Sequence, residues 1–338
     1  QRQMCIRDRY TLQMDNNPSI KGYAAICGKK EGEGPLGKHF DYTYEDTTLG
    51  EASWEKAESR LQTEAVNTAL QKAKVVASDI DYIFAGDLLN QCISSTFGLR
   101  NLNIPFLGQF GACSTMAQTL ALSSMMVDAG LANKCVAVTS SHFCSAERQF
   151  RFPLEYGGQR TPTAQWTVTG SGAAVVTPHE DGTPFVSAVT IGRIQDLGIK
   201  DAANMGAAMA PAAVSTLKDF FNDTQTGPND YDLILTGDLG QVGSDLMKEL
   251  LEKDNIKIDG NHNDCGLMIY DKKKQDVHAG GSGCGCSGSV LCSLILNQLK
   301  QKELTNILFM ATGALMSPTS SQQGESIPSV AHLLNIRS

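Results

Sequence analysis

DIDYIFAGDLLNQ (79–91) and NDYDLILTGDLGQ (229–241) spell one pattern twice. Each carries a short apolar run into Gly-Asp-Leu, and Asp87 aligns with Asp238 at an offset of 151 residues. Further along the offset becomes 173: Ala112-Cys113-Ser114 aligns with Gly285-Cys286-Ser287, and Thr139 with Thr312. The second copy therefore gains residues between these marks, in the stretch that holds His262 and His278. Gly-Asp-Leu matches are common singly, but three matches in one order favour a repeat over chance.

The periodicity around these marks is that of an α/β chain. WEKAESRLQTEAVNTALQKAK (54–74) sets Ala57, Leu61, Ala65 and Leu70 near one face and predicts a helix. Short apolar runs at 79–87, 104–110, 134–141 and 170–178 predict strands, with a helix opening near Cys113. The second part repeats the order: strands at 185–194, 231–238, 265–270 and 306–315, helices at 211–221, 244–254 and 286–300, and a last strand near 330–336. Strands apolar on both faces and separated by helices imply a sheet covered on both sides. The expected fold is α/β, with two βαβαβαββ halves, 20–180 and 181–338, packed in layers about a pseudo-twofold axis. That arrangement would bring the helix starts at Cys113 and Cys286 together.

Composition narrows the function. Of 338 residues 41% are hydrophobic, enough for a large core, and 28 Lys plus Arg against 36 Asp plus Glu leave a net charge of -8. With no long basic run, a nucleic-acid partner is disfavoured, while a local basic pocket for an acidic small molecule stays open. Ten cysteines without the regular spacing of a disulfide scaffold read as reduced thiols. Cys284 and Cys286 form a C-x-C pair with no second cluster, so no metal site is expected. No run approaches the roughly 20 apolar residues of a membrane span, and residues 1–13 carry no assigned role.

Cys113 is the central candidate. It follows a strand and Gly-Ala, at a helix start whose free N–H groups would favour a thiolate, which makes it a nucleophile; the same position suits a small buried hydrophobe equally well. His278, in the glycine-rich DVHAGGSGCGCSGSV (276–290), can be presented toward Cys113 or serve as a loop residue. Asp87 and Asp238 end strands, where α/β proteins place sites, or else cap the following helices. Glu147, Arg148, Arg151 and Arg160 lie among aromatics in the most cationic neighbourhood of the chain, suited to a carboxylate ligand or to a salt-bridge network. His142, at a strand end, is a ligand or a satisfied buried imidazole.

FGACST (110–115), HAGGSG (278–283) and TGSGAAVV (169–176) resemble the corresponding segments of the thiolase-like superfamily of thiolases and ketoacyl synthases. The resemblance implies that Cys113 is the acyl-accepting nucleophile and His278 the thiolase-type histidine. Two departures are plain: ATGALMSPT (311–319) lacks the second thiolase cysteine, and TGDLG (236–240) puts Asp238 where initiating ketoacyl synthases have a histidine. An ionised Asp cannot donate to a developing oxyanion.

AGDLLNQ (85–91), AERQFR (146–151), HNDCGLMIY (262–270) and HAGGSGCGCS (278–287), in this order, are similar to a sporulation branch of that superfamily in spore-forming Firmicutes. This closer resemblance implies a dipicolinic acid binding component of a spore inner-membrane channel. Such a protein would act peripherally on the cytoplasmic face with integral membrane proteins as partners, would need no cofactor of its own, and would take the ligand with or without calcium. Cys113, His278, Asp238, Arg148, Arg151 and His142 would then hold the ligand. Acyl transfer from acyl-CoA or an acyl carrier to Cys113 is the alternative. The superfamily resemblance also implies a homodimer paired edge to edge through 134–141.

Overall fold

The computed structural model describes residues 10–150 and 160–338. Ten strands carry the architecture: β1 (Ser19–Cys27), β2 (Tyr82–Gly86), β3 (Phe106–Gln109), β4 (Cys135–Ser141), β5 (Gly170–Thr177), β6 (Phe185–Thr190), β7 (Leu233–Thr236), β8 (His262–Asp264), β9 (Asn306–Ala314) and β10 (Ser329–Arg337). They form one hydrogen-bonded path, β8-β7-β9-β10-β6-β1-β5-β4-β2-β3. In each half the two strands toward the outer end run parallel to the third, and the rest are antiparallel. The halves join through a single register pair between β6 and β1, Ser19 with Phe185.

Alternation along the strands builds the layers. On the first half-sheet Ala24, Ile26, Ile83, Val136, Val138 and Val175 face α1 (Trp54–Ala73). The intervening residues Tyr23, Ala25, Phe84, Ala137 and Val176 face inward. There they meet α3 (Thr115–Asp128) and α7 (Cys284–Val290), and the other side of α3 packs on the second half-sheet, in one core with Ile307, Phe309, Leu334 and Ile336. The outer face of that sheet, Ile234, Leu308, Met310 and Leu333, is covered by α5 (Met205–Thr224). Between these come α2 (Ile93–Leu99), α4 (Phe143–Phe150) and α6 (Gly240–Glu252).

Local chemistry sets the boundaries. Ser53 accepts from Lys56 N–H to open α1, and Lys74, left-handed at φ 58°, closes it. α5 begins six residues before the expected Pro211, because Asn204 caps it by accepting from Ala207 N–H at 3.3 Å. Pro211 is carried inside the helix, its lost N–H offset by burial of Met209, Ala212, Ala213 and Leu217. The strand expected at 265–270 is corrected: the sheet keeps only His262–Asp264, and Cys265–Met268 turns into a helix. Asp264 causes the break by accepting from Thr236 Oγ1, Leu239 N–H and Gly240 N–H.

α7 lies against β5 through glycines on both elements. A Cβ on Gly172 would stand 2.2 Å from the Gly288 carbonyl oxygen, and one on Gly285 would stand 2.4 Å from that of Gly170. The glycines of TGSG and GCGCSG are what permits this approach. Pairing of copies through 134–141 is corrected as well, since β4 lies between β2 and β5 and its hydrogen bonds are taken; the sheet ends at β3 and β8. Among the described residues no helix is long and apolar enough to cross a membrane.

Candidate functional site

The path from β3 to α3 passes through a tight turn, Ala112–Ser114, in which Ala112 takes φ 50°. A non-glycine residue in this region stores strain. The turn presents Cys113, 5% exposed, at the floor of a cavity of about 220 Å³. Leu88, Phe110, Phe150, Met205, Leu315 and Met316 supply its apolar walls. The turn at Cys113 does pack against the start of α7, which begins at Cys284 rather than Cys286, and Ser282 just before it lines the same cavity as Cys113.

Asp238 lies behind the thiol, fully buried. Its carboxylate accepts from Gly283 N–H at 2.8 Å, from Ser282 Oγ at 3.3 Å and from Thr312 Oγ1 at 3.4 Å, and it lies near enough to Cys113 for the two groups to influence each other's ionisation. Burial outweighs these donors and pushes the carboxyl up to about 6. The expected easy thiolate is corrected. Burial first and the Asp238 charge second hold the Cys113 thiol well above its ordinary value, while the Gly283 N–H and Ser282 hydroxyl only partly offset them. Ionisation at Cys113 thus needs a base, and Asp238 is the group in contact.

The two aspartates that align in the sequence have different partners. Asp87 caps, accepting from Leu89 N–H at 2.9 Å and from Ser95 N–H of α2 at 2.8 Å. In the second half Asp264 accepts from the N–H groups of Leu239 and Gly240, and Asp238 is left to face the thiol. Asp87 instead neighbours Glu58, which burial first and the Asp87 charge second raise to about 8. A folded-state value above the unfolded one near 4.5 stabilises the protein fully below about 4.5, and this is lost as pH rises through about 8. Stability should therefore fall as the pH rises from roughly 5 to 8, and Glu58→Gln should flatten that fall. Urea unfolding midpoints measured at both ends of the window check this; equal slopes in the two proteins would contradict it.

Other candidates lie elsewhere. His278 does not face Cys113: its Nδ1 meets the Thr161 carbonyl at 2.8 Å and its Nε2 meets Asp276 at 2.9 Å, so both ring nitrogens are engaged away from the cavity. His142 is buried, with Nε2 donating to the Thr47 carbonyl at 2.7 Å and Nδ1 accepting from Cys144 N–H, a neutral structural imidazole. Arg148 pairs with Glu55 and lies over the Trp54 ring, on the α1 side. Arg151 lies outside the described residues. Sequence reasoning missed Thr312 and Ser282 as partners of Asp238, although Thr312 stood in the repeat alignment and Ser282 in the glycine-rich segment. The apolar walls come from five separate segments and had no local signal.

A family model described as stage V sporulation protein AD matches residues 8–337. Stage V sporulation protein AD of Bacillus subtilis is 50% identical over 329 residues, 97% of this chain and 97% of that protein. Among solved structures, 3-oxoacyl-[acyl-carrier-protein] synthase III from Aquifex aeolicus matches 95% of this chain and 100% of its own, with TM-score 0.57 and 14% identity. Cerulenin-bound OleA of Xanthomonas campestris matches 95% and 97%, with TM-score 0.61 and 14% identity. These likenesses give the chain a thiolase-like α/β fold.

They also correct the expectation of a dipicolinic acid binding component of a membrane channel. The solved neighbours include a 3-oxoacyl-[acyl-carrier-protein] synthase and a tetronic acid condensing enzyme, and their descriptions name neither that ligand nor integral membrane partners. The cavity agrees with the correction: among the described residues its lining has no Lys or Arg to meet a dianion, and it includes Glu147. Matched by the family over nearly its full length and sharing half its residues with the Bacillus subtilis relative, the chain belongs to the stage V sporulation protein AD family.

Proposed function

We propose that the protein accepts an acyl group from a thioester onto Cys113. The observation that carries the reading is a thiol at the floor of an apolar cavity with a buried carboxylate beside it. Sγ attacks the thioester carbonyl while Asp238 takes the thiol proton; the new C–S bond forms, the old one breaks, and the proton passes to the departing thiolate. The apolar walls suit the alkyl part of the acyl group. Near neutral pH Asp238 is mostly ionised and would repel an oxyanion, so the reading is confined to transfer and excludes a condensation step that depends on a donor at this position.

The test is intact-mass measurement after incubation with acyl-CoA thioesters from acetyl to decanoyl. Wild type should gain the mass of one acyl group, and Cys113→Ala should gain none while unfolding at the wild-type temperature. No adduct across the panel would end the reading. We further read the chain as two duplicated halves, divided at the turn between β5 and β6 and related by a pseudo-twofold axis. The mirrored strand order and the shared parallel and antiparallel pattern support this reading.

A further inference from the structure

Two loops must keep register for Asp238 to face Cys113. One is the turn that leaves β7 through Asp238 and Gly240; the other is 278–283, which brings the Ser282 hydroxyl and the Gly283 N–H. Outside the site their backbones are linked by the bond from Gln241 N–H to the Ala279 carbonyl at 2.8 Å. Gln165 lies between them, 4% exposed. Its amide nitrogen donates to the Asp238 carbonyl at 2.8 Å and to the Gly281 carbonyl at 2.7 Å, one hydrogen for each loop. Its own backbone is fixed by the adjacent pairing of Trp166–Thr167 with Gly281–Ser282 and by Arg160 donating to its carbonyl. The fit is close enough that a Cβ on Gly240, at φ 61°, would stand 2.7 Å from the Gln165 amide nitrogen.

We infer that Gln165 is a positioning residue for the Cys113 and Asp238 pair, holding the two loops at the spacing that aims the carboxylate at the thiol. Its role in acyl transfer rests on the proposed function; its role in fixing the pair does not. Gln165 touches neither sulfur nor substrate, and it acts only through the two carbonyls it bridges. Without the bridge, Asp238 drifts from the thiol, and two consequences of opposite sign follow. The thiol ionises more readily because a repelling charge has left, and acyl transfer slows because the base has left.

The experiment compares wild type, Gln165→Met and the conservative Gln165→Asn, which keeps the amide but is too short to span both carbonyls. Thermal unfolding first establishes that each is folded. Alkylation of Cys113 by iodoacetamide is then followed by peptide mass across the neutral to alkaline range, with Cys113→Ala as background. The midpoint of the alkylation profile should move down by about one pH unit in both variants, giving about tenfold faster labelling near neutrality. A merely loosened fold would raise the rate at every pH without moving the midpoint. An unmoved midpoint, or a thiol inert in all three proteins, overturns the inference. A moved midpoint with no acyl adduct on wild type would leave the positioning role standing and remove the acyl reading.

Discussion

Asp238→Asn is expected to slow acylation of Cys113 by about a hundredfold or more, the usual scale for loss of a positioned general base. The substitution keeps the side-chain shape and leaves an acceptor for Gly283 N–H, so the loss falls on proton removal. The pH dependence separates this from a packing defect. Asp238 takes the thiol proton only when ionised and is held at about 6, so the wild-type rate should climb with a midpoint near pH 6 and level off above it. In Asp238→Asn that climb should vanish and the rate should follow the thiol itself, still rising far into the alkaline range. Stopped-flow release of free CoA thiol measures both profiles. A wild-type rate flat from acid to neutral pH would remove Asp238 from the mechanism.

Gly172→Ala should lower the stability of the protein by about 3 kcal/mol or more. The added carbon would stand 2.2 Å from the Gly288 carbonyl oxygen and 2.3 Å from its carbonyl carbon. Both partners are backbone, one in the middle of β5 and the other inside α7, so neither can turn aside as a flexible side chain would. Relief requires α7 to lift from the sheet, which pulls Gly283 and Ser282 away from Asp238. Loss of stability should therefore come with loss of Cys113 reactivity toward thioesters. Gly227→Ala is the control, since no atom lies within 4 Å of its added carbon; it should unfold within about 0.5 kcal/mol of wild type. Equal urea midpoints for the two variants would contradict the close crossing.

Much of the architecture was legible because strand burial in this fold is two-sided. Runs apolar on both faces, such as CVAV at the start of β4, read as interior, and their order indicated the layers. The misreadings share one cause. CGLMIY is as apolar as any strand, and what turns it into a helix is the carboxylate of Asp264 reaching a turn 25 residues upstream, which no local pattern carries. Pro211 marked a helix start by propensity, whereas the cap at Asn204 and the packing of α5 on β10 decided it. At the site, Cys113 and Asp238 were each singled out from the chain. That they lie together in the interior was not, and burial with the Asp238 charge beside it reverses the expected ionisation of the thiol. His278 was placed by resemblance, and Thr161 and Asp276 hold it elsewhere.

The strand order also dictates a timetable for synthesis. The first half-sheet has all its strands once Thr177 has left the ribosome, but the second waits for 329–337, because β10 sits between β9 and β6. Until then α3 is covered on one flank only, and the side of Met116 and Leu120 that will meet Phe309 and Leu334 stays bare. A growing chain of this kind carries a sticky, half-dressed helix for nearly half of its translation. Its yield in a cell will depend on how well chaperones shield that helix through the interval.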